Sequence, residues 1–234
     1  MTHQEISAYL HSLANQEHAQ HAMRYFKTAE GEYGHGDIFL GIRVPLLRQA
    51  VKKYQAATII TAKKILQSEY HEIRLIALLL LVAHFEHGDA AVQDKIYHLH
   101  LNNTRFINNW DLVDSSAPQI VGAYLQGKDK HILYELAASQ SLWQRRIAVL
   151  ATFTFIRNYQ FADALHIAAL LLNDSEDLIH KAVGWMLREI GKRELAVEAA
   201  FLKKHCQHMP RTMLRYSIEK FSPAERKKYL SGKV

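Results

Sequence analysis

One cysteine, four prolines and ten glycines are all that this chain of 234 residues holds of the types that staple or break regular structure. Cys206 alone cannot close an intramolecular disulfide, so a disulfide framework is excluded and a reducing cytoplasm is the expected compartment. His205 and His208 flank it without a fourth partner at any zinc-ligand spacing, so this group reads as structural and no metal is expected. No run of 18 apolar residues occurs, and the first twenty residues lack the charged-then-apolar order of an export signal. Neither a membrane nor an export role is therefore expected. Strand-like alternation is missing as well, which argues against a β architecture.

What remains is dominated by Leu, Ala, Lys, Arg, Gln and Glu, the straight-chain and small residues that lose least on entering a helix. With 49% hydrophobic residues the chain can bury a substantial core, either as one unit or as a row of repeats sharing a continuous one. Lys and Arg outnumber Asp and Glu by 29 to 23, a formal charge of +6, and 15 histidines can add to it. Such a balance favours a polyanionic partner without proving one. Position has to decide.

Apolar residues recur at spacings of three and four. Ile73, Ile76, Ala77, Leu80, Leu81 and His84 form one stripe, and similar helical patterns return at 143–157, 178–190 and 211–221, with another apolar segment at 106–125. Aligning the centres places Ala77, Val113, Ala148, Ala182 and Tyr216 in register, at intervals of 36, 35, 34 and 34. That period in an all-helical chain predicts an α-solenoid of stacked helix pairs, filling residues 1–234 as a single domain. Ser141-Leu-Trp-Gln144 and Ser222-Pro-Ala-Glu225 read as capping boxes. The glycine-rich segment 31–36 has no strand before it, so it reads as a loop and not as a phosphate-binding fingerprint.

Three places carry candidate chemistry. In 178–190, Ala182, Val183, Met186, Leu187 and Ile190 mark the buried face, and Trp185 falls more than a quarter turn from its centre. Lys181, Arg188 and Lys192 are its helical neighbours, so an indole sits in a cationic stripe suited to nucleic acid; packing under an adjacent repeat is the competing explanation. In 108–125, Trp110 and Asp114 share a face, and Pro118 cannot donate to the Asp114 carbonyl, so the helix should bend or end there. Alternatively Asp114 caps a new helix near Pro118. Arg145 and Arg146 open an almost wholly apolar helix, where they suit either phosphate or a salt bridge to a neighbouring repeat.

Five blocks in order, FLGIRVPLLRQ (39–49), NNWDLVD (108–114), LWQRRIAVL (142–150), HKAVGWMLREIGKR (180–193) and MPRTMLRY (209–216), resemble the AlkD-type DNA alkylation repair proteins. The resemblance implies a curved right-handed superhelix of HEAT-like antiparallel helix pairs with a basic concave face for duplex DNA containing alkylated purines, and hydrolysis of the N-glycosidic bond of N3- or N7-alkylated purines. It implies Asp114 as the catalytic carboxylate and Trp110 and Trp185 as the aromatic residues flanking the lesion. The phosphate contact falls on Arg146, or on Arg145 one register step away, and Tyr25 corresponds to a tyrosine near the amino-terminal loop. Arg43 and Arg211, within the first and last blocks, join Lys181, Arg188 and Lys192 as expected DNA contacts.

These residue types suit the reaction. A cationic alkylpurine leaves without prior protonation, and a fixed carboxylate stabilises the oxocarbenium character that the sugar acquires and can orient water. Indole faces attract cations. No metal, Schiff-base lysine or organic cofactor is expected, and the enzyme should act as a monofunctional monomer that leaves an abasic site. Two alternatives remain: a non-catalytic HEAT-type DNA-binding scaffold and a protein-binding adaptor.

Overall fold

The computed structural model describes residues 1–233. Among them it is all-helical, with fourteen α-helices, short 3-10 turns at Thr104–Phe106 and Ile218–Lys220, one π-helix and no strand beyond a single bridge between Ile38 and Tyr70. Among the described residues no helix is long and apolar enough to cross a membrane. The chain divides into two compact units, Met1–Ile120 and Val121 onward.

The first unit holds α1 (His3–Ser12), α2 (Gln16–Tyr25), α3 (Val44–Lys53), α4 (Ile59–Leu66), α5 (His71–His87), α6 (Ala90–Asn102) and α7 (Trp110–Asp114). Side chains of Thr2, Asn15, Thr58 and Asp89 accept from free N–H groups at the starts of α1, α2, α4 and α6. α5 lies at the centre, packed by α3, α4, α6 and α7. Its apolar stripe is broader than the periodicity predicts. His71, Glu72 and Arg74 are buried along with Ile73, Ile76, Ala77, Leu80 and Leu81, because each of the three finds a partner in the segment before α3.

Around Pro118 the helix ends as expected. α7 stops at Asp114, and Ala117–Gly122 is wound as a π-helix with Pro118 in its first turn. Pro118 has no N–H for the Asp114 carbonyl, so the ladder of α7 cannot continue, and the wider winding carries the chain onward. Asp114 is the final residue of α7, three positions before the π-helix begins.

The second unit holds α8 (His131–Ala137), α9 (Leu142–Arg157), α10 (Ala162–Leu170), α11 (Asp177–Gly191), α12 (Leu195–His205), α13 (Arg211–Ser217) and α14 (Pro223–Leu230). α9 and α11 form its centre: α8 and α10 pack on α9, and α12 and α13 on α11. Ser222 and Glu225 form the expected capping box. At α9 only half of the expected box forms as written: Ser141 accepts from the Gln144 N–H, while the Ser141 N–H donates to Ser139 Oγ and Gln144 Oε1 accepts from that same hydroxyl. Of the aligned centres, Ala77, Val113, Ala148 and Ala182 are fully buried, but Tyr216 is 37% exposed. The buried face of α13 is Met213, Leu214 and Ser217, so the aligned register does not hold there.

The α11–α13 crossing depends on Gly184. A Cβ there would lie 2.5 Å from the Met213 carbonyl oxygen and 2.6 Å from Tyr216 Cβ. Glycine in mid-helix costs about 1 kcal/mol relative to alanine, so close approach of the two backbones explains its presence. Gly184→Ala should therefore destabilise the protein by about 1–3 kcal/mol despite its better helix propensity; a urea midpoint at or above that of the wild type would contradict this.

Against α11 stands Glu198 of α12, buried, with Oε1 lacking a hydrogen-bond partner. Burial, opposed in part by Arg188, pushes its carboxyl up to about 8. An unfolded glutamate ionises near 4.5, so between those values folding must take up a proton and stability falls as pH rises. Glu198→Gln should thus stabilise the protein at pH 7 by on the order of 3 kcal/mol and have little effect at pH 4. Urea unfolding at both pH values reads the difference, and equal effects at the two would contradict it.

Candidate functional site

α7 is a single turn of five residues, far too short to persist alone, and its position comes from its flanks. Asn109, fully buried, accepts from the Trp110 N–H at 2.9 Å as the N-cap and donates through Nδ2 to Asp37 Oδ2 at 3.4 Å. Asp111 Oδ2 lies 2.8 Å from Nε2 of His71, whose Nδ1 lies 2.8 Å from Asp37 Oδ2. Arg74 donates to the other Asp37 oxygen. After the turn, Ser115 Oγ donates to the Asp111 carbonyl at 2.5 Å and Ser116 Oγ to that of Leu112 at 2.7 Å. His100 then donates from Nε2 to Ser116 Oγ at 3.0 Å; complete burial lowers its pKa to about 4, so it is neutral.

The segment 26–43 has no regular helix, and the same network fixes it. The Glu72 carboxylate accepts from the N–H groups of Leu40, Gly41 and Ile42 at 2.9, 2.7 and 3.1 Å. Burial alone would raise Asp37, but hydrogen bonds from His71 and Arg74 and their charges outweigh it and hold the carboxyl below its ordinary value. Burial likewise opposes the charge on His71, and hydrogen bonds to Asp111 and Asp37 override it, raising the imidazole from 6.5 to about 9.

Trp110 is half-buried. Its ring stacks on Phe26 at 5.3 Å, Phe26 on Phe39 at 4.9 Å, and Phe39 on His71 at 4.4 Å, a column that runs from the indole to the buried imidazole. Tyr25, at the end of α2 and 61% exposed, meets Trp110 edge-on at 6.1 Å. Asp114, also half-buried, is four residues from Trp110 on the same turn. Trp110, Asp114 and Tyr25 thus belong to one locality of the first unit. Beside it a cleft of about 620 Å³ is lined by Tyr25, Phe26, Phe39, His71 and Asp111. Arg43, at the N-cap of α3, is exposed at the edge of that cleft and lies 2.9 Å through Nη2 from His18 Nε2.

The candidates of the second unit are placed differently. Trp185 is half-buried outside the apolar face of α11, as expected, 5.8 Å from the ring of Phe153. Its cationic neighbours all have carboxylate partners: Lys181 with Asp177 at 2.7 Å, Lys192 with Glu189 at 2.6 Å, and Arg188 with Glu219. Trp185 Nε1 donates to Glu189 as well, at 3.3 Å. The stripe is therefore charge-compensated, which the i, i+4 pattern of basic residues alone does not reveal. Arg145 forms the salt bridge that was the alternative to phosphate binding. Nε and Nη2 reach Asp174 at 2.6 and 3.3 Å, and Nη1 reaches the carbonyls of Ser139 and Gln140 at 3.0 Å. Arg146 is 5% exposed, not at an open helix end, and donates from Nη1 to the Leu178 carbonyl at 2.6 Å. Arg211, exposed at the start of α13, donates to the Leu230 carbonyl.

Residues 6–221 match the family model described as DNA alkylation repair enzyme. The chain belongs to that family. The resemblance read from the five sequence blocks is thereby borne out, and an enzyme acting in DNA repair is what membership points to. A solved structure described as a predicted DNA alkylation repair enzyme from Enterococcus faecalis is similar over 90% of this chain and 97% of that one, with a TM-score of 0.67 and 17% identity, a likeness of fold. Comparison with curated proteins gave no match.

Sequence reasoning missed Asp37, His71, Arg74, Asn109 and Asp111. The available signal was HEIR opening the longest of the described helices, a strongly apolar one, since buried charges must be partnered, and a second aspartate within NNWDLVD. Asp37→Ala leaves the His71 and Arg74 cations buried without their shared acceptor, and should cost about 3–5 kcal/mol at neutral pH. Denaturant unfolding measures this, and a loss under about 1 kcal/mol would show the network to be dispensable.

Proposed function

We propose that this protein is a DNA glycosylase that hydrolyses the N-glycosidic bond of cationic N3- or N7-alkylated purines in duplex DNA and leaves an abasic site. The observation that carries the proposal is the placement of Asp114 and Trp110 on one short turn in a chain of the DNA alkylation repair enzyme family. Trp110 and Tyr25 supply aromatic surface near the carboxylate, as a cationic nucleotide requires. The stacking of helix pairs as HEAT-like repeats belongs to the same proposal, supported by the pairing of α4 with α5 in the first unit and of α8 with α9 in the second.

The chemistry follows from the substrate. Alkylation at N3 or N7 makes the purine a cation, so it departs with the bonding electrons as a neutral base and needs no acid. The sugar is left electron-poor at C1′. The Asp114 carboxylate stabilises that developing charge and accepts a proton from the water that adds to C1′, which closes the balance of atoms. Trp110 favours the charged nucleotide through its ring face, the role that the five-block resemblance implies for Trp185 as well. The phosphate role goes to Arg146 by its place in the LWQRRIAVL block, and that contact requires its guanidinium, now buried and bonded to the Leu178 carbonyl, to turn outward. Arg43, Arg211, Lys181, Arg188 and Lys192 complete the proposed DNA contacts. The exposed Lys181–Asp177 pair contributes only about 0–1 kcal/mol, so a phosphate can displace that carboxylate, whereas Arg188 and the Glu189 carboxylate bonded to Lys192 are largely buried. The enzyme acts as a monofunctional monomer in the cytoplasm.

Asp114→Asn keeps the shape of the turn and removes the charge. Base release from methylated duplex should fall roughly a hundred- to a thousandfold in single-turnover assays, with DNA affinity little changed. Release at the wild-type rate would remove Asp114 from the mechanism.

A further inference from the structure

We infer that His71 is a positioning residue for this site: its ring, held between Asp37 and Asp111, fixes the α7 turn that presents Trp110 and Asp114. The effect on catalysis rests on the glycosylase proposal; the effect on α7 rests on the fold alone.

Both flanks of Trp110 lead back to the same pair. Asn109 is tied to Asp37, and Asp111 to His71, which is itself bonded to Asp37. A neutral imidazole carries one N–H, so it can serve only one of two carboxylates that each lie 2.8 Å from a ring nitrogen. The geometry therefore requires the imidazolium. On its deprotonation one bond becomes a contact between lone pairs, and the carboxylate able to turn away is Asp111. Its side chain is 18% exposed, against 1% for Asp37, which Arg74 also holds. The bond that lets go is the one to α7. A second link runs through the rings, because the imidazolium lies against Phe39, Phe39 against Phe26 and Phe26 against Trp110.

The groups facing His71 are Asp37 before α3, Asp111 of α7 and, through Asp37, Arg74 of its own helix; Glu72 is turned to the N–H groups of residues 40–42. Glu17, His18 and His21 of α2, with Arg43, line the cleft that His71 also borders. His71 is raised from 6.5 to about 9, so the tether is intact below 6.5 and lost as pH climbs through 9.

The test follows His71 and Trp110 in the same protein from pH 6 to 10.5. The His71 Cε1 resonance and the Trp110 indole N–H resonance, assigned with His71→Gln and Trp110→Phe, are titrated without DNA. Both should move with one midpoint near 9. In Asp111→Asn, which removes one of the two charges, both midpoints should fall together by about a unit or more. Single-turnover base release, corrected for spontaneous depurination, should show an alkaline limb with the wild-type midpoint that shifts equally in Asp111→Asn. A Trp110 resonance indifferent to His71 ionisation, or an alkaline limb unmoved in Asp111→Asn, would overturn the inference. A merely structural role would lower stability without moving that limb. Absence of base release from every variant at every pH would defeat the glycosylase proposal, and the two resonances would still decide the role of His71.

Discussion

A buried imidazolium shared by two carboxylates holds together parts of the first unit that have little structure of their own. His71 opens the central helix α5, Asp37 belongs to the irregular segment after α2, and Asp111 sits on the one-turn helix α7. The segment is a run of short turns and α7 a single one, and neither extends far enough to define its own place. A cation desolvated among them is costly unless both carboxylates close on it, so the arrangement is bound to a narrow geometry. Pro118 adds a second constraint. By ending α7 at Asp114 it leaves the candidate carboxylate at the terminus of a tethered turn and not within a continuous helix.

The second unit is organised by a different balance. α9 and α11 are buried along most of their length, and the cations near Trp185 are neutralised by acids on α11 itself or on the turn after α13. At the exposed Lys181–Asp177 pair such compensation stabilises little and is readily exchanged for another anion. Local ion pairing and a role toward DNA phosphate are therefore compatible. Arg145 differs, because its guanidinium is filled and its bonds join the start of α9 to the residues before α11.

Much of the helical fold is legible in the sequence, because apolar spacing alone marks α5, α9 and α11, and Ser222 with Glu225 marks the start of α14. The slip at Tyr216 was not legible, since a shift of one position in a short helix replaces its buried face while leaving the composition unchanged. Of the candidate site, Trp110, Asp114 and the break at Pro118 could be read from spacing and from the missing N–H of proline. Trp185 could be placed outside its helix's apolar face. The supporting network could not be read, because Asp37, His71, Arg74, Asn109 and Asp111 are joined across 34 to 72 positions and meet only through the tertiary fold. Burial of Arg146 was likewise invisible, as nothing in the string RR tells which of two arginines turns inward.

Duplex DNA treated with a methylating agent and incubated with the wild-type protein provides the most direct measurement. The account predicts release of free 3-methyladenine or 7-methylguanine with time, in amounts matched by abasic sites in otherwise unbroken strands. Methylated bases that remain attached to the DNA, at protein concentrations where the duplex is bound, would contradict it.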